Sequence, residues 1–115
     1  MKSIYKSVWE YIHKQPYGTD SLIDIKNIKV SKDFLRTTPR VEKVKKYYTY
    51  FNKHGFIDKP ITIKKKSDSI NILHDEYCRY LIMANEIDEY KKLHNIDTYE
   101  KIPEELRMVP VRYID

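Results

Sequence analysis

A chain of 115 residues has room for one domain and not for two. With 41% hydrophobic and 34% charged residues it belongs with globular rather than disordered sequences, and one core of this size needs no covalent staple. The single cysteine, Cys78, excludes an internal disulfide and suits a reducing cytoplasm, while a net charge of +5 attracts anionic partners weakly. No apolar run approaches the ~20 residues that span a bilayer, and Met1 to Gln15 lacks the apolar centre of a secretory signal.

Taken in chain order, Ile4, Tyr5, Val8, Trp9 and Ile12 recur at helical spacing, which predicts a helix over 3–15 ended by Pro16 and Gly18. Residues 21–30 are β-favouring with interspersed polar residues, so a strand is expected there, bent near Lys26-Asn27. Residues 34–40, Phe34-Leu35-Arg36-Thr37-Thr38-Pro39-Arg40, read as a loop, because Pro39 forces Thr38 to be extended. From Val41 the pattern is helical, with Val41, Val44, Tyr48 and Phe51 on one face and a stop at His54-Gly55.

Ile61-Thr62-Ile63 and Ile70-Asn71-Ile72-Leu73 read as two strands of a hairpin, with the basic, polar residues 64–69 as its tip. A third helix is expected from about Glu76, capped by Asp75, with Tyr77, Tyr80, Leu81 and Ala84 on a shared face. Residues 87–107 form a polar, partly helical variable segment interrupted by Pro103. The last strand covers 109–114, and Pro110 assigns it an edge or a strand start. The order predicts an α+β domain: a small mixed sheet of about four strands packed against helices.

The chemically informative feature is a junction. The apolar strand ending at Leu73 runs straight into His74-Asp75-Glu76-Tyr77-Cys78-Arg79-Tyr80 and a helix. The first amides of a helix lack intrahelical partners and carry partial positive charge, which makes such a junction a natural anion site. Arg79 can add a bidentate grip on phosphate, and Arg36 and Arg40 in the preceding loop can converge on the same ligand. Two carboxylates at the mouth, Asp75 and Glu76, repel a bare phosphate, so a magnesium–nucleotide complex fits better.

Other residues carry less. Cys78 is a lone thiol with His74 one turn upstream, and such a cysteine is more often a small packed side chain than a nucleophile. His13, His54, His74 and His94 lack metal-ligand spacing, so zinc is not expected. Lys64-Lys65-Lys66 keeps a hairpin tip solvated and offers a weak contact to nucleic-acid phosphates.

The segments Asp58-Lys59-Pro60-Ile61-Thr62-Ile63, Leu73 to Ala84 and Val109-Pro110-Val111 together resemble the ParB/sulfiredoxin-like superfamily. Its members carry a Pro-Ile-x-Val strand, a strand ending in Asp-Gly-x-x-Arg-Tyr or Gly-Glu-Arg-Arg, a small-residue helix and a Val-Pro-Val strand. The Arg36 to Arg40 loop followed by Val41-Glu42-Lys43-Val44 is similar to that family's arginine- and proline-bearing loop. The likeness covers roughly 21–86 and 108–114. It implies a nucleotide-binding fold in which Arg36, Thr37, Thr38, Arg40, Tyr77, Cys78 and Arg79 surround the phosphates. Asp75 then matches a kinase-type aspartate, and Asp75 and Glu76 become the candidates for catalysis or for holding Mg2+.

The departures are specific. Glu76 stands where the family has glycine. Tyr77 stands where sulfiredoxins place their cysteine, the partition-type double arginine is missing, and no helix-turn-helix follows.

The leading expectation is thus a small cytoplasmic binding module for a nucleotide or for nucleic acid, with the family likeness and an AT-rich composition implying a phage- or plasmid-borne origin. Two rivals stand beside it: a nucleotide-dependent phosphotransferase or nuclease, and an inhibitor of a host nuclease that kept the fold, bound a protein partner and lost the pocket.

Overall fold

A computed structural model of the chain describes residues 15–114. The helix expected over 3–15 lies outside the described residues. Five strands form one mixed sheet: β1 Ser21–Asp24, β2 Ile28–Lys29, β3 Ile61–Ser67, β4 Ile70–Asp75 and β5 Met108–Ile114. Four helices accompany it: α1 Lys32–Leu35, α2 Val41–His54, α3 Tyr77–Leu93 and α4 Glu104–Arg107.

The sheet runs β1-β5-β3-β4-β2. β1 and β5 are antiparallel, β5 and β3 parallel, β3 and β4 an antiparallel hairpin, and β4 and β2 parallel. The expected bend at Lys26-Asn27 is therefore larger than a bend. A 3-10 turn, Ile25–Asn27, splits the segment into two strands on opposite edges. Five strands spaced by about 4.8 Å put the edges of a flat sheet about 19 Å apart. The four steps from Asp24 to Ile28 reach at most about 14 Å even when extended. The sheet accordingly curls, bringing β1 and β2 toward each other around the buried Ile23, Ile25 and Ile28.

Several boundaries move. Residues 34–35 close the short helix α1, which Ser31 caps by accepting from the Phe34 amide, rather than opening the loop. The β3–β4 hairpin is longer than expected, with Lys64 to Ser67 continuing β3 and Asp68-Ser69 making the turn. Helix α3 runs on to Leu93, past the expected start of the variable segment. It ends in a left-handed Asn95, with the Ile96 amide donating to the Lys91 carbonyl and the Asn95 amide to that of Lys92. Gly55 ends α2 at φ 84°, as its place in the sequence predicts.

Strand β5 is central rather than at an edge. Pro110 is tolerated because the ladder to β3 begins one residue later, at the Ile61 and Val111 pair, so its missing N–H faces no acceptor on that strand. Beside β1, Pro110 pairs with Leu22.

The core gathers Phe51 from α2, Ile57, Ile61 and Ile63 around β3, Leu73, Val109 and Val111 from neighbouring strands, and Ile82, Met83 and Ile87 from α3. The buried stripe of α3 is therefore Arg79, Ile82, Met83 and Ile87. The face expected from Tyr77, Tyr80, Leu81 and Ala84 is only half-buried. Arg79 shares the spacing of the core stripe, and this placement decides its role. Among the described residues no helix is long and apolar enough to cross a membrane.

Candidate functional site

The strand-to-helix junction opens a cleft of about 320 Å³ between α3, the α1–α2 loop and the turn ahead of β3. Asp75 ends β4, and its carboxylate accepts from the Glu76 amide at 2.7 Å. Glu76 then adopts the left-handed conformation, φ 73° and ψ 42°, at the position preceding the helix. That is the geometry a glycine takes without cost, and a side chain there costs of the order of 1 kcal/mol. The kink turns the chain from strand to helix in one residue. No side chain caps the start of α3, and the first amide hydrogen bond along the helix is Tyr80 N–H to the Glu76 carbonyl. The amides of Tyr77, Cys78 and Arg79 belong to the uncapped first turn.

Arg79 is 5% exposed and committed. Its Nε donates to Asp58 Oδ1 at 2.6 Å and Nη2 to Asp58 Oδ2 at 2.9 Å. Nη1 donates to Glu76 Oε2. The guanidinium carbon lies 3.8 Å from the centre of the Tyr47 ring, a stacked cation–π contact. Burial works against its charge, but the hydrogen bonds to Asp58 and the charges of Glu76 and Asp58 outweigh it and hold the group cationic. In return, the Arg79 hydrogen bonds pull the Asp58 carboxyl below the usual carboxylate range. Three of the five guanidinium N–H groups are thus spoken for, and one ring face is covered.

Of the residues expected around phosphate, Thr37, Tyr77, Cys78 and Arg79 line the cleft, together with Asp75 and Glu76. Arg36, Thr38 and Arg40 are exposed on the loop and are not part of its wall. Thr37 is fixed by its hydroxyl, which donates to the Asp33 carbonyl at 2.8 Å, and by its amide on the Phe34 carbonyl at 2.9 Å. Phe34 pins this loop to α3 through its ring contact with Tyr77, centroids 5.2 Å apart. His74 is exposed, and no hydrogen bond joins it to Cys78. Lys64, Lys65 and Lys66 are exposed on β3, with Lys65 Nζ 5.7 Å from the Tyr113 ring centre.

Lys43, Lys59, Tyr47, Phe34 and Pro39 complete the wall, and the sequence assigned none of them to the site. Lys43 and Lys59 make no ion pair among the described residues, so they supply the cations that Arg36 and Arg40 do not. Lys59 follows Asp58 directly, so the Arg79–Asp58 clamp also fixes the turn that presents Lys59. The carboxylates divide in the same way: Glu76 is paired with Arg79, whereas Asp75 is exposed and has a carboxylate oxygen free of any hydrogen bond among the described residues.

A second polar cluster lies outside the cleft wall. Asp24 accepts from the Lys26 amide at 3.1 Å and from the Tyr99 hydroxyl, and faces Arg107 Nε at 3.6 Å. Burial, then the hydrogen bond and charge of Asp24, push the Tyr99 phenol well above its usual range. This cluster ties the segment after α3 to the turn between β1 and β2.

The chain matches no protein-family model, and no curated protein is significantly similar to it.

Proposed function

We propose that this domain is a binding module for a phosphate-bearing ligand, a nucleotide or nucleic acid, seated in the cleft at the start of α3. The observation that carries the reading is the convergence, in one cleft, of the uncapped first turn of a 17-residue helix with Lys43 and Lys59, two cations that make no ion pair among the described residues. Helix amides favour an anion at that spot, and the lysines add point charges without a prior commitment. The Thr37 hydroxyl, already donating to Asp33, can only accept from a ligand, and Phe34, Tyr47 and Tyr77 give the cleft apolar walls suited to a ring.

In this reading the role first assigned to Arg79 changes. It is a positioning residue that closes the floor of the cleft, while the phosphate contacts pass to the amides, Lys43 and Lys59. A magnesium ion fits through Asp75 alone, because one carboxylate plus ligand phosphates is an ordinary environment for that ion, whereas Glu76 is occupied. The ion would screen Asp75 from the phosphates. A catalytic reading would rest on Asp75 alone to hold the ion or act as base, and binding is the function the cleft supports best.

The test is calorimetric titration of the domain with inorganic triphosphate and with nucleoside triphosphates, each with and without Mg2+. Saturable binding, strengthened by Mg2+, supports the reading. Titrations without heat or thermal stabilisation for any of these ligands contradict it.

A further inference from the structure

The cleft does not end at Glu76. A second cavity of about 540 Å³ lies on the other side of the same two residues, Lys59 and Glu76, which line both. The two adjoin at these residues, and their walls together make a trough of two cavities from the α1–α2 loop across the start of α3 to Thr62 of β3 and Arg112 of β5. Along it the cations come in the order Lys43, Lys59, Arg112. None of the three is in an ion pair among the described residues. Arg112 is exposed on β5 beside Thr62 of β3. Of the two acids on the walls, Glu76 shares the single charge of Arg79 with Asp58, and Asp75 is outside any ion pair among the described residues. Aromatic rings sit at both ends: Phe34 and Tyr77 in the first cavity, and Tyr17, fully solvent-exposed, in the second.

We infer that the trough binds a single-stranded nucleic acid several nucleotides long, with one phosphate at the α3 amides and the chain continuing past Lys59 to Arg112 and Tyr17. This rests on the phosphate site proposed above and extends it from a mononucleotide to a strand. Spaced cations that follow a backbone, with aromatic faces for the bases, are the two features that such a ligand needs. A mononucleotide would use the first cavity and leave Arg112 and Tyr17 without a role. A duplex keeps its bases stacked on one another and gains nothing from Tyr17.

The experiment is fluorescence anisotropy with labelled oligothymidylates of two, four, six and ten nucleotides, beside calorimetry with inorganic triphosphate, on the full chain. Affinity should rise with length and level off at about four to six nucleotides. Binding should weaken with salt on a slope of about −2, as expected for three phosphate contacts to a single strand. Arg112→Ala and Tyr17→Ala should each weaken the ten-nucleotide strand roughly five- to tenfold and leave triphosphate affinity unchanged. Both side chains are exposed, and near-wild-type thermal stability of the variants checks that the fold is intact.

Triphosphate binding without any gain from strand length, or strand binding that survives both substitutions, overturns the inference and leaves the phosphate site standing. A duplex of equal length binding as tightly as the single strand also overturns it. Failure of both triphosphate and oligonucleotide overturns the inference and the phosphate site together.

Discussion

Asp58 holds the Arg79 guanidinium along one edge, with Nε 2.6 Å from Oδ1 and Nη2 2.9 Å from Oδ2. The residues are 21 positions apart, so this pair joins the turn before β3 to the first turn of α3. It makes an arginine that looks like a ligand-binding group in the sequence into part of the framework under the site.

Removing Asp58 should therefore be a stability mutation. Breaking a buried pair costs about 3–5 kcal/mol because the remaining charge is left uncompensated. Asp58 retains 26% of its side-chain exposure, so water reaches the guanidinium, and Glu76 stays paired with it, which argues for about 2–3 kcal/mol. Urea denaturation of Asp58→Ala measures this. Arg79→Lys should also destabilise, because an ammonium cannot make the two-point contact or stack on Tyr47 in the same way. The double variant Asp58→Ala/Arg79→Met should lose less than the sum of the single changes.

The same pair sets an acid limit. The Asp58 carboxyl is held below its unfolded value by Arg79, so its contribution is fully present above about pH 4 and is lost as pH falls through the lower, folded value. Glu86 has the opposite sign. Burial raises its carboxyl, so its neutral form suits the folded state, and it opposes stability at pH values above that raised pKa. Urea midpoints from pH 2 to 7 should fall steeply below about pH 4 in the wild type and less steeply in Asp58→Ala. Glu86→Gln should be neutral or slightly stabilising at pH 7, as it removes a half-buried charge and keeps the size of the side chain.

At position 76 the usual ranking of alanine over glycine should be reversed. Both substitutions remove the contact with Arg79, but only glycine relieves the left-handed backbone at φ 73°. Glu76→Gly should be more stable than Glu76→Ala by about 1 kcal/mol. Equal stabilities would mean that this backbone is relaxed in solution.

Much of the architecture could be read from the chain. Pro60 and the alternating Ile61-Thr62-Ile63 marked β3, Gly55 marked the end of α2, and the apolar run from Ile70 into Asp75 marked the junction that bears the cleft. Two features of the fold were hidden for physical reasons. The division of 21–30 into strands on opposite edges follows from the curl of the whole sheet, which no local pattern reports. The end of α3 was signalled by Asn95 followed by apolar Ile96, a left-handed stop that polar residues on either side obscured.

The burial of Arg79 was legible in principle, since Ile82, Met83 and Ile87 repeat from it at helical spacing. A partner 21 residues away was not. Lys43 and Lys59 resembled any other lysines of a solvated surface until the fold set them beside the helix start. Arg36 and Arg40 drew attention through their loop, yet their side chains stand outside the wall.

The decisive measurement compares inorganic triphosphate binding, with Mg2+, by calorimetry in the wild type and in Lys43→Ala/Lys59→Ala. At a hundred times the dissociation constant the wild type should also gain about 2.7 kcal/mol in unfolding free energy. The double variant should keep its unliganded stability within about 0.5 kcal/mol, as exposed lysines outside ion pairs contribute little, and should lose at least tenfold in affinity. Triphosphate binding of equal strength in both proteins, or none in the wild type, would contradict an anion seated between these lysines and the first amides of α3.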